Sequence, residues 1–224
     1  SGKPDLVTLT SNARRVGEIA VAYSPDGSKI LFFRTGPDGD TDVPVDLYVI
    51  DADGGAPVRL NPPGVGAAWN DTPFLGSASW SPDGRRVAFV GTTGFDIHGD
   101  RGWAVYVVGA DGSNPKMITP PASTFDAVWS PDGEWIAFDM PNEGSRDLFV
   151  VHPDGTGLRA VTSAATDGLF SFGPKWSPDG SWLLFIRGPS EFDDVDLWMS
   201  DVEGTNLVQL THRPAFYSFY SWNT

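Results

Sequence analysis

Four stretches of the chain repeat one order of apolar runs and polar breaks. In each, a turn is followed by SKILFF, RRVAFV, EWIAFD or SWLLFI, and this density of β-branched, aromatic and aliphatic side chains predicts a buried strand. After a loop of variable length comes DLYVIDADG, AVYVVGADG, DLFVVHPDG or DLWMSDVEG, a strand closed by a glycine turn. A short run that ends in a polar residue follows: PVRLN, PKMIT, LRAVT or LVQLT. Ahead of every set stands YSPDG (23–27) or WSPDG (80–84, 129–133 and 176–180), whose aromatic residue ends one more, innermost strand. The prolines of this motif, Pro25, Pro82, Pro131 and Pro178, lie 57, 49 and 47 residues apart, a spacing that marks a repeat architecture. Four strands per repeat, no helical period, and 26 Gly with 19 Pro as punctuation predict an all-β chain, a β-propeller of four-stranded antiparallel blades.

The SPDG motif itself is explained by turn chemistry. Pro presets φ near about −65°, Asp tolerates the bridge region and bonds nearby backbone, and Gly accepts positive φ where the chain re-enters a strand. Asp26, Asp83, Asp132 and Asp179 are therefore read as corner residues rather than catalytic acids. The preceding ring, Tyr23, Trp80, Trp129 or Trp176, is expected to pack between neighbouring blades, where burial contributes about 1.5–3 kcal/mol each.

These corners, the DLYVIDADG-type third strands and the LT strand ends resemble the TolB-like, or PD40 (WD40-like), propeller repeats over essentially the whole chain. The resemblance is specific for fold and not for activity. It implies a binding or scaffold propeller, periplasmic or extracellular. Its alternative is the substrate-gating propeller of a prolyl-oligopeptidase-like serine peptidase whose catalytic domain lies outside this chain. One propeller domain is expected over 1–224, with repeats at about 11–60, 61–119, 120–162 and 163–211 and a partial blade from 1–10 and 212–224. DLVTLT at 5–10 aligns with a fourth strand and Trp222 with Trp176, giving four complete blades plus two orphan strands. A slice of a longer propeller of six or more blades is expected, with a thin fifth blade or exchange between chains as the other solutions.

Composition narrows the partners. Against 15 Lys and Arg the chain sets 29 Asp and Glu, a formal net charge of −14, which disfavours nucleic acid and anionic membranes and favours a basic protein or peptide. With no cysteine there are no disulfides and no thiol chemistry. No apolar run approaches the roughly 20 residues of a membrane helix, so direct membrane insertion is not expected.

The two turn types are short and stereotyped, so variation collects on the opposite face, in the second-to-third strand loops and the repeat connections. The residues expected to bind there are Asp38, Asp40, Asp42, Asp96, His98, Asp100, Trp103, Phe125, Phe170, Phe172, Phe192, Asp193 and Asp194. Rings supply contact area and carboxylates supply orientation for a basic or amphipathic segment. Asp46, Asp147 and Asp196 begin third strands and are expected to make bonds within their own blades. DGDTD at 38–42 resembles the opening of a calcium loop, but Val43 stands where such a loop needs Gly and no Glu occupies its twelfth position, so calcium is disfavoured. No cofactor, metal site or catalytic set is assigned. The three histidines are scattered, no G-x-S-x-G occurs, and acidic loops do not suit an acidic sugar substrate.

Overall fold

The computed structural model describes residues 16–37, 45–67, 78–92, 102–142, 145–164, 166–190, 194–212 and 221–222. Every regular element among them is a strand, in four antiparallel sheets. The first sheet runs β1 (Val16–Tyr23), β2 (Lys29–Pro37), β3 (Asp46–Asp51) and β4 (Val58–Arg59). In the second, β5 (Gly66–Ala67) and β6 (Ala78–Trp80) both pair with β7 (Arg86–Thr92), followed by β8 (Trp103–Gly109) and β9 (Lys116–Met117). The third holds β10 (Phe125–Trp129), β11 (Ile136–Asn142), β12 (Ser145–Val151) and β13 (Arg159–Ala160). The fourth holds β14 (Phe170–Trp176), β15 (Trp182–Gly188), β16 (Asp196–Asp201) and β17 (Val208–Gln209). Sequence order is sheet order, as expected of propeller blades.

The corners form by one repeated bond set. Ser24, Ser81, Ser130 and Ser177 donate from Oγ to the Asp two residues on at 2.6, 2.6, 2.5 and 2.6 Å. Each serine oxygen also accepts the N–H five residues on, where the second strand begins or is about to, at 2.9 Å in all four. The polar strand ends have an equally regular use. Asn61, Thr119, Thr162 and Thr211 accept the N–H of Leu47, Val105, Leu148 and Leu197, tying the fourth strand of a blade to its third.

The repeated aromatic joins blade to blade. Trp80 Nε1 donates to the Ala22 carbonyl at 3.4 Å, Trp176 to Val128 at 3.0 Å and Trp222 to Lys175 at 3.1 Å, each on the inner strand of the preceding blade. Trp222 thus holds the Trp176 position beside the fourth sheet, as its alignment predicts. Trp80, Trp129 and Trp176 are buried, whereas Tyr23 is 65% exposed. The outer glycine turns dock in the same direction. A Cβ on Gly155 would stand 3.2 Å from the Ile118 carbonyl, and one on Gly204 only 2.2 Å from that of Val161. Between the sheets lie three apolar cores, centred on Leu31, Leu47 and Phe89, on Val105, Ile136 and Phe138, and on Leu148, Leu183 and Phe185.

Candidate functional site

Inner strands run toward the corners, so their first residues lie on the variable-loop half of the disc. There β10 and β14 each carry a bulge, between Phe125 and Val128 and between Phe172 and Lys175. In blade four the bulge holds Gly173 at φ 69°, the conformation glycine accepts without strain. In blade three the same position is Asp126 at φ 53°. A non-glycine residue held there beside a sheet bulge is a common device for aiming a side chain.

Asp126 is aimed at charged company. Its carboxyl is hydrogen-bonded to that of Asp139, and Lys175 and Arg146 act on it electrostatically. Burial pushes the Asp126 carboxyl above the usual carboxylate range, against the downward pull of Lys175, Arg146 and the Asp139 bond. Asp139 is 1% exposed; one of its oxygens lies 3.2 Å from an Arg146 nitrogen, and the other accepts the Gly173 N–H at 3.4 Å. The Arg146 guanidinium also covers the Phe125 ring at 4.2 Å. Two acids, two bases and one ring therefore meet where the third blade joins the fourth.

None of these charges belongs to the repeat. Asp139 takes the strand position of Phe33, Val90 and Ile186; Arg146 that of Val45, Trp103 and Val195; Lys175 that of Ala22, Ser79 and Val128. A buried carboxylate costs free energy unless paired, so a blade that needed only to pack would keep the apolar residue. Nearby, the hydroxyls of Thr124 and Ser145 are buried with no hydrogen-bond partner among the described residues. The cluster can orient a polar or charged ligand group, and Phe125 adds apolar area.

Other polar groups on this half are consumed by the fold. Asp147 is fully buried and accepts from Thr162 Oγ1 at 3.0 Å, the Ala164 N–H at 2.9 Å and Asn142 at 2.9 Å. Asp196 bonds Thr211 and Gln209, and Asp46 bonds Asn61, so the three third-strand acids serve their own blades. Arg187, 2% exposed, grips both oxygens of Asp167 at 2.8 Å and faces the Trp198 ring at 5.7 Å. In blade one Arg34 donates two bonds to one oxygen of Glu18, at 2.9 and 2.6 Å, and lies over the Tyr48 ring at 4.6 Å.

Of the residues expected to bind, Asp38, Asp40, Asp42, Asp96, His98, Asp100, Phe192 and Asp193 lie outside the described residues. Trp103 is half-buried at the start of β8 and packs on the core of the second and third blades. Phe125 is half-buried beneath Arg146. Phe170 is half-buried, and Phe172, only 9% exposed, sits against Ile186 and Val195, which leaves little of that ring to a ligand. Asp194 is exposed at φ 57°. The four charges of the cluster were absent from that set. Their signal was available as an acid ending EWIAFD where the other repeats end in an apolar residue.

No family model matches the chain. It is 26% identical over 171 residues to an uncharacterised protein of Agrobacterium fabrum, a match that covers 73% of this chain and 52% of that protein. A shorter match, 35% identical over 68 residues, is to the Tol-Pal system protein TolB of Desulfosudis oleivorans and covers 30% of this chain and 14% of TolB. The chain thus spans at most about half the length of these relatives. Among solved structures, one provisionally identified as TolB of Agrobacterium tumefaciens superposes with a TM-score of 0.67 at 21% identity, covering 96% of this chain and 72% of its own. TolB of Acinetobacter baumannii gives 0.61 at 19% identity over 91% of this chain and 45% of its own. A prolyl endopeptidase gives 0.62 at 15% identity, with 88% of this chain but 29% of the enzyme covered. By its repeat and by its fold, this chain is a β-propeller that resembles the TolB proteins.

Proposed function

We propose that the chain is a non-catalytic binding or scaffold propeller that holds a basic or amphipathic protein or peptide segment on its variable-loop face, in the periplasm or outside the cell. The observation that carries this reading is the concentration of non-repeat charge, Asp126, Asp139, Arg146 and Lys175, at the loop-face end of the joint between blades three and four. A blade that only packs needs no such departure, and a ligand-orienting site does. The net charge of −14 draws a basic segment toward the disc, and exposed Asp194 adds a carboxylate on the loop side of blade four. The likeness to TolB proteins supports the proposed location. The likeness to a prolyl endopeptidase favours a second reading, in which the propeller gates access to a hydrolase domain elsewhere in a longer protein.

The test is calorimetric titration of a lysine-rich peptide into three proteins. Reversal of Asp193 and Asp194 to Lys is expected to weaken capture about tenfold. Asp132→Ala, on the corner face, is expected to lower unfolding free energy by about 1 kcal/mol and leave capture unchanged. Equal loss from both proteins, with folding intact, contradicts the assignment of the face.

A further inference from the structure

The corner half of the disc holds a cleft that its own repeats fill elsewhere. It has a volume of about 600 Å³ and lies between the first and second blades. The equivalent space at the next joint is crossed by Lys116, whose Nζ donates to the Asp154 carbonyl in the following blade at 2.7 Å. At the third joint Arg159 crosses, donating to the Val202 carbonyl at 2.6 Å and lying 3.5 Å from Glu203. Register makes the three positions equivalent: Val58 faces Val49, Lys116 faces Val107, and Arg159 faces Val150. Val58 has no long side chain to send across, and it is 39% exposed.

We propose that this cleft receives a lysine or arginine side chain from a protein partner, which takes the place of the missing strut. Val49, Ile50, Val58, Val107 and Val108 line the cleft with apolar surface suited to the methylenes of a long cationic side chain. Beyond them stands Asp111, the counterpart of Asp154, whose carbonyl receives Lys116, and of Glu203, whose carboxylate faces Arg159; one Asp111 oxygen accepts the Ser113 N–H. The cations already at the cleft are engaged. Lys29 is paired with Asp51, and Arg86 lies over the Trp129 ring at 4.8 Å. Arg85 is exposed, and the Asp83 carboxyl is held low by the Ser81 hydroxyl and then by the Arg85 backbone N–H. This surface lies on the face opposite the variable loops, so it does not depend on the reading of the loop face.

The test follows backbone amides by NMR while N-acetyl-arginine amide is added, with N-acetyl-glutamate amide as the anionic control. The arginine probe is expected to shift the amides of 56–58 and 110–114. Val58→Lys supplies an internal strut at a surface position and should cut those shifts about tenfold. Lys116→Val opens the next joint and should create new shifts at 152–156. Reversal of Asp193 and Asp194 should leave the response at 56–58 and 110–114 in place, which separates this proposal from the loop-face one. A Val58→Lys protein that responds as the wild type does, or glutamate shifts equal to those of arginine, overturns it.

Discussion

At the scale of single residues, the carboxylates divide by what their protons do. Ser24 Oγ and the Ser28 N–H hold Asp26 at about 2, below the ordinary 3.8. At Asp201, burial pushes the carboxyl up, but bonds from Thr205 and Asn206 outweigh it and set the group at about 2 as well. A group whose pKa is lowered by folding adds stability above its unfolded value and loses it as pH falls through the folded one. Urea unfolding should therefore show native stability declining from pH 3.8 toward about 2, with a shallower decline in Asp26→Ala. Asp126 has the opposite sign. Its carboxyl is raised chiefly by burial, so its contribution is complete at low pH and is lost as pH rises through the raised value. The corners were legible in the sequence because Ser, Pro, Asp and Gly act within five adjacent residues. Asp139 shows in the sequence as a break in an apolar run, but its use does not, because its partner Arg146 lies across a hairpin and the backbone amide of Gly173 belongs to the next blade.

At the scale of strands and turns, the apolar pattern located all four second strands, since Ile30–Phe33, Val87–Val90, Ile136–Asp139 and Leu183–Ile186 are buried without a break. Two features escaped it. The inner strand of the second blade is divided, β5 and β6 both pairing with β7, and short pairings of this kind have too few residues to show a period. The inner-strand bulges also escaped it, because a bulge is an offset between two strands and not a property of one. The glycine turns, by contrast, are readable but understated: Gly204 serves the joint as well as the turn. Gly204→Ala places a methyl 2.2 Å from the Val161 carbonyl at φ 74° and is expected to cost more than about 2 kcal/mol, because either the left-handed turn or the blade contact must yield. Chemical denaturation of the variant beside the parent measures it.

At the scale of the molecule, the repeat itself separates structure from function. Serine corners and polar strand ends recur in all four blades, indole bridges form at Trp80, Trp176 and Trp222 but, among the described residues, not at Trp129, and cationic struts cross two joints; packing and hydrogen bonding account for them. The quartet at the third joint is a departure that packing does not account for, and the central claim is that it orients the bound partner. The most direct measurement restores the repeat there, with Asp126→Gly, Asp139→Ile, Arg146→Val and Lys175→Val in one protein, and compares its affinity for the lysine-rich peptide with that of the parent. The account predicts a protein that still melts cooperatively near the parent temperature, since the buried Asp139 gives way to an apolar residue, yet binds the peptide at least about tenfold more weakly. A cooperatively folded protein that binds as the parent does would contradict it.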